Sequence, residues 1–182
     1  MKVVEPLLTE HRLIERVVQL MFKEASKIKD TRRANLRVLR QIIDFLRVYA
    51  DRCHHGKEED VLFQALTGKT MSPEHTEMME RLIKEHEMGR HNVHQLDQAC
   101  QVYEQGNEEA LDEMIHHLEI LATFYPKHID KEDNHFFIAC VDYLTEREQK
   151  AILEKCAAFD RKLIHEKYTQ IVTGLEIVTG LE

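Results

Sequence analysis

The chain has 182 residues, enough for one domain with a single sizeable core. Six Gly and three Pro against 32% charged residues favour long helices over a turn-rich sheet. With 25 basic and 33 acidic residues the net charge is −8, and such a surface repels phosphate backbones, which argues against a nucleic-acid partner.

The segment MKVVEPLLTEHR meets a proline and charges before any apolar run of signal-peptide length. No run of about 18 apolar residues could span a bilayer. Cys53, Cys100, Cys140 and Cys156 are widely separated, with no Cys-x-x-Cys pair, and read as reduced packing residues. The expectation is a cytoplasmic protein without a membrane partner.

The first helix is predicted from about Pro6 to Lys29. Leu7, His11, Ile14, Val18, Met21, Ala25 and Ile28 recur at helical spacing, and Pro suits a first turn. After the polar Asp30–Arg33 turn, a second helix runs from near Ala34 to Leu66, with Phe45, Val48, His55, Glu59, Leu62 and Leu66 along its inner stripe. Ser72-Pro73 caps a third helix that continues to about Gln105 and stops at Gly106-Asn107. A fourth covers roughly Glu108 to Tyr143, with Pro126 expected to kink or split it just before His128. Thr145-x-x-Glu148 reads as a capping box for a short fifth helix ending near Leu163. Long helices with short links give an all-α fold: an up-down-up-down four-helix bundle over residues 1–165 with an added short helix, then a tail, 166–182. That tail carries Ile-Val-Thr-Gly-Leu-Glu twice in succession and reads as a frayed terminus.

One ligand-type pattern is written twice. His55-x-x-x-Glu59-Asp60-x-x-Phe63 recurs as His128-x-x-x-Glu132-Asp133-x-x-Phe136. Leu-x-x-Glu-His precedes each copy, ending in His11 and in His86, and the gaps to His55 and His128 are 44 and 42 residues. Residues four apart share a helix face, so each His-Glu pair can aim imidazole and carboxylate at one inward spot. Six such groups left unsatisfied on apolar stripes would cost about 1–3 kcal/mol each, and coordination of metal relieves them together. Imidazole and carboxylate suit iron or manganese, and no cysteine stands beside them to suggest structural zinc. The doubled pattern predicts two metals held by His11, His55, Glu59, His86, His128 and Glu132, with Glu59 and Glu132 bridging. His54 and Glu58 form a rival pair one residue away, set aside because it does not align with His128 and Glu132 in this register. His135 is placed in the core lining, and the other histidines receive no role.

Glu10-His11, His54-His55-x-x-Glu58-Glu59-x-x-Leu62-Phe63, Glu85-His86-Glu87-x-Gly89-Arg90 and Tyr125-Pro126-x-His128-Ile129-x-x-Glu132-Asp133 together resemble the hemerythrin-like, or HHE cation-binding, domain over roughly residues 5 to 145. The resemblance implies a four-helix bundle with a non-haem di-iron centre, oxo- or hydroxo-bridged with carboxylate bridges, on the same six residues. Two departures stand out. The family's oxygen carriers place a second His four residues after that of the third helix, where this chain has Arg90. They also use an Asp five residues after the fourth-helix His, Asp133 here, whereas the internal repeat selects Glu132. Losing one His would leave an open coordination position, which catalytic sites keep. An inward Arg90 would favour a bound anion; an outward one would make a salt bridge. The expected function is binding, and reduction, of a small oxidant (peroxide, O2 or NO), with a reversible oxygen carrier or an iron or redox sensor as the alternative.

Overall fold

The computed structural model describes residues 2–160 and 164–181, and among these the regular structure is entirely helical. The first helix, α1, spans Glu5–Thr31, with Pro6 in its first turn and a left-handed cap at Arg32 (φ 50°) whose N–H returns to Ile28. Asn35 caps α2 by accepting from the Val38 N–H at 3.4 Å. This helix is α-helical over Leu36–Phe45, widens to π geometry over Leu46–His55 and again over Glu58–Phe63, and closes with Gln64–Thr67. Ser72 accepts from the His75 N–H at 3.2 Å and starts α3, Pro73–Glu104. Gly106, at φ 95°, turns the chain where a side chain would be strained.

The next helix, α4, covers Ala110–Lys131 and continues through a π turn, Glu132–Phe136, into Phe137–Cys140. Of the kink or split expected at Pro126, the split does not occur. Phe124, Tyr125, His128 and Ile129 are buried on both sides of the proline, and this packing keeps the α-helix continuous to Lys131. The geometry changes at Glu132 instead.

The capping box forms as expected: Thr145 and Glu148 exchange side chain-to-backbone hydrogen bonds at the start of α5, Glu146–Phe159. Leu163, where that helix was expected to end, lies outside the described residues. The segment read as a frayed tail is a sixth helix, α6, Ile164–Thr179. Tyr168, Val172 and Leu175 bury against α1 and α2, and the Tyr168 hydroxyl donates to Asp44 at 2.9 Å. One copy of the repeated hexapeptide thus supplies core contacts, while Ile177 and Val178 of the other are exposed.

Two apolar clusters flank the middle of the molecule. The larger fills one end with residues of α1 to α4 and α6. The smaller joins the start of α1, the end of α2, the start of α3 and the end of α4 with Ile152 and Cys156 of α5. Between them lies a belt of buried His and Glu. All four cysteines are buried and free. No helix among the described residues is long and apolar enough to cross a membrane.

Candidate metal centre

Four helices converge on the belt. α1 contributes His11; α2 contributes His54, His55 and Glu58; α3 contributes His86; and α4 contributes His128 and Glu132, all at most 2% exposed. Their ligand atoms fall into two groups that could each hold a metal ion: His55, His86 and His128 in one; His11, His54, Glu58 and Glu132 in the other.

The two carboxylates connect the groups. One Glu58 oxygen lies 3.4 Å from His54 Nε2 and the other 3.4 Å from His86 Nε2. One Glu132 oxygen lies 3.2 Å from His11 Nε2, and the other 3.2 Å from His128 Nε2 and 3.6 Å from His86 Nε2.

The sequence-derived set is therefore brought together except for one member. His11, His55, His86, His128 and Glu132 meet; Glu59 does not. Its carboxylate points to the rim, where it accepts from His86 Nδ1 at 2.7 Å and from Arg90. Glu58 takes the place assigned to Glu59, and His54, set aside in the sequence reading, joins the site with its neighbour His55. The cause is the π geometry of α2. A π turn holds more residues than an α turn, so adjacent His54 and His55 both face inward, while the four-residue pairing holds one residue earlier than expected, between His54 and Glu58.

Four of the five rings are oriented from behind by a hydrogen bond, that of His86 by Glu59. His11 Nδ1 donates to Asp133 at 2.6 Å, His54 Nδ1 to Glu10 at 2.9 Å, and His128 Nδ1 to Glu85 at 2.9 Å. His55 Nδ1 stands 3.4 Å from Asp51. Every one of these carboxylates is itself met by a cation: Arg12 at Asp133, Lys57 at Glu10, Lys131 at Glu85, and Arg90 at both Glu59 and Asp51. Carboxylate–imidazole pairs of this kind fix the proton on Nδ1, so Nε2 is the atom that binds a cation once it is free of its own proton. Asp133 thus serves as the orienting partner of His11, with Glu132 facing the interior. Arg90 is occupied by two carboxylates rather than free for an anion.

The donors fit a metal better than they fit one another. Both Glu58 oxygens, both Glu132 oxygens, His86 Nε2, His128 Nε2 and both His55 nitrogens are buried without a hydrogen-bond partner. His11 Nε2 and His54 Nε2 face each other at 2.9 Å, although each ring already donates from Nδ1. Titration follows from the same crowding. Burial pushes the Glu58 carboxyl well above its ordinary value, and the Glu132 charge adds to this. Burial also opposes ionisation of Glu132, yet His128, His11 and His86 hold it well below the usual range. Burial, with His11 beside it, pushes His54 down to about 4. At His128 burial is outweighed by Glu132 and Glu85, and the ring rises to about 9. A site whose protons are shared so unevenly is one that cations would neutralise.

A family model for the hemerythrin HHE cation-binding domain matches residues 2–140. The chain belongs to that family. No curated protein and no solved structure gives a significant match. All seven hemerythrin-type donors lie within the matched span, whereas α5 and α6 lie beyond it. Within this hemerythrin-family chain, Arg90 stands outside the two donor groups, and His55 lies inside one of them. The signal for the correct register was present in the sequence. Lys57-Glu58-Glu59 matches Lys131-Glu132-Asp133, and the His11-to-His54 gap of 43 residues is closer to the 42 of the second half.

Proposed function

We propose that this chain is a non-haem di-iron protein of the hemerythrin family that binds a small oxidant (peroxide, O2 or NO) and reduces it. The observation that carries this reading is the pair of carboxylates, Glu58 and Glu132, each presenting its two oxygens to histidines of different groups. Imidazole and carboxylate donors favour iron over a soft-ligand metal. Bound ferrous iron would supply the electrons that such an oxidant accepts, becoming ferric, and an external electron donor would return it to the ferrous state.

The residues divide the work. Three imidazoles with one oxygen from each carboxylate make the fuller set; His11 and His54 with the other two oxygens make the sparser one, which keeps more room for water or a ligand. Glu10, Glu59, Glu85 and Asp133 hold the rings in register. The apolar clusters above and below exclude bulk water. A cavity of about 260 Å³, walled by Leu46, Arg90, Val93 and Tyr125, reaches His55 and offers a small molecule a way in. We take α1 to α4 as the up-down-up-down bundle of the family, with α5 and α6 added to it. Four reduced, buried cysteines favour a reducing compartment, consistent with the cytoplasm.

Optical spectra of the iron-loaded, reduced protein, mixed in turn with O2, peroxide and NO, test this reading. Reoxidation by any of the three, with repeated turnover when excess chemical reductant is supplied, supports reduction. A stable, reversible O2 adduct would show a carrier or sensor instead, and an unchanged spectrum with all three would refute both.

A further inference from the structure

The two halves of the site are wired outward alike and finished differently. His54 donates to Glu10, which accepts from Lys57; His128 donates to Glu85, which accepts from Lys131. The second chain ends at the surface, with the Glu85 and Lys131 side chains 19% and 26% exposed. The first is sealed, with Lys57 at 0% and Glu10 at 1%.

The seal is made by Asp160, at the end of α5, and His165, in the first turn of α6. Asp160 accepts from Lys57 at 2.5 Å. His165, in the first turn of α6, donates from Nε2 to Asp160 at 2.9 Å and accepts at Nδ1 from the Tyr49 hydroxyl at 3.0 Å. Phe159 lies over Gly56, where an added Cβ would come within 3.3 Å of its ring. Glu10, Asp160 and His165 bring ligand atoms within 4.8 Å of one another, but the cation they enclose is the Lys57 ammonium. Both Asp160 and His165 fall outside the family match, which ends at residue 140.

We propose that Asp160 and His165 are positioning residues for the metal subsite built on His11 and His54. This rests on the two-metal reading above. Glu10 divides its oxygens, Oε1 to Lys57 and Oε2 to His54. Lys57 tolerates sharing because Asp160 supplies its second anion. Without Asp160, a buried ammonium left with one carboxylate draws both Glu10 oxygens to itself, and the His54 ring loses the partner that fixes its tautomer and direction. Among the described residues, Asp160 and His165 make no hydrogen bond or ion pair to His55, His86 or His128, which they reach only through the shared carboxylates Glu58 and Glu132, so the C-terminal helices bear first on the subsite of His11 and His54.

The test loads full-length wild type, Asp160→Asn, Asp160→Glu and His165→Ala with ferrous iron under anaerobic conditions, in competition with a chelator. Circular dichroism and melting of the metal-free forms are recorded alongside. Asp160→Asn is expected to weaken one of two bound ions about ten-fold, the lower end of what second-layer changes do. Asp160→Glu should restore most of that loss. His165→Ala should shift the same ion in the same direction by less, and it serves if Asp160→Asn does not fold. In a His11→Ala background, which lacks the sparser subsite, Asp160→Asn should have no effect on the remaining ion. Unchanged affinities in both single variants overturn the proposal, as does a full effect that persists in the His11→Ala background. A wild-type chain that takes up no metal overturns the two-metal reading and this inference together, whereas two tightly held ions in every variant overturn this inference alone.

Discussion

His54 and His128 occupy equivalent positions: each donates from Nδ1, at 2.9 Å, to the glutamate that precedes a site histidine on a neighbouring helix, Glu10 in one case and Glu85 in the other. This equivalence sets the register of the internal repeat. It places Glu58 opposite Glu132, and Glu59 opposite Asp133.

The register separates two adjacent acids. Glu58→Ala should reduce bound iron from two ions to one or none, because it removes a donor from both groups. Glu59→Gln should keep both ions and weaken loading by about ten- to a hundred-fold, as expected of an orienting partner. Metal analysis after dialysis distinguishes them. The reverse ranking would return Glu59 to the ligand set.

Function and stability should oppose each other at Glu58. Its two buried oxygens have no partner, and burial keeps its carboxyl protonated well above the ordinary range. Glu58→Met, of similar size, should therefore stabilise the metal-free protein by about 1–3 kcal/mol while abolishing full loading. Denaturant unfolding in chelator reads the first effect and metal content the second. A destabilised metal-free variant would contradict this account of the orphaned carboxyl.

Glu24 offers the comparison away from the site. It is fully buried in α1, neither oxygen has a hydrogen-bond partner, and burial raises its carboxyl above the ordinary value. Glu24→Met should stabilise the chain by about 1–3 kcal/mol with iron loading unchanged. A loss of iron in this variant would mean that Glu24 serves the centre after all.

Metal uptake should release protons. His128, raised to about 9, is protonated in the metal-free protein near neutral pH, while His54, lowered to about 4, is not. Loading needs bare Nε2 atoms, so raising the pH favours binding by about ten-fold per unit for each proton displaced. The His128 contribution ends once the pH passes about 9. Calorimetry in two buffers of different ionisation enthalpy measures the released protons. Affinity that stays flat between about pH 7 and pH 9 would count against these assignments.

The sequence carried the helices and most of their caps because these are local: Pro6, Ser72-Pro73 and Thr145-x-x-Glu148 act within a turn of themselves. Five of the six expected ligand residues also meet in space, since one inward residue per helix is legible from apolar stripes. What failed was the count within α2. Periodicity assumes 3.6 residues per turn, and the π stretches from Leu46 to His55 and from Glu58 to Phe63 break that assumption where the ligands stand. α6 was missed for another reason. Tyr168, Val172 and Leu175 form a helical stripe, but it is short, and its burial depends on contacts with α1 and α2 that no local pattern encodes.

The most direct measurement is a crystal structure of the iron-loaded protein with anomalous data at the iron edge. Two peaks about 3.5–4 Å apart, each within bonding reach of one oxygen of Glu58 and one of Glu132, are predicted. A single peak, or two ions of which one is bound by Glu59 with Glu58 turned away, would contradict the account.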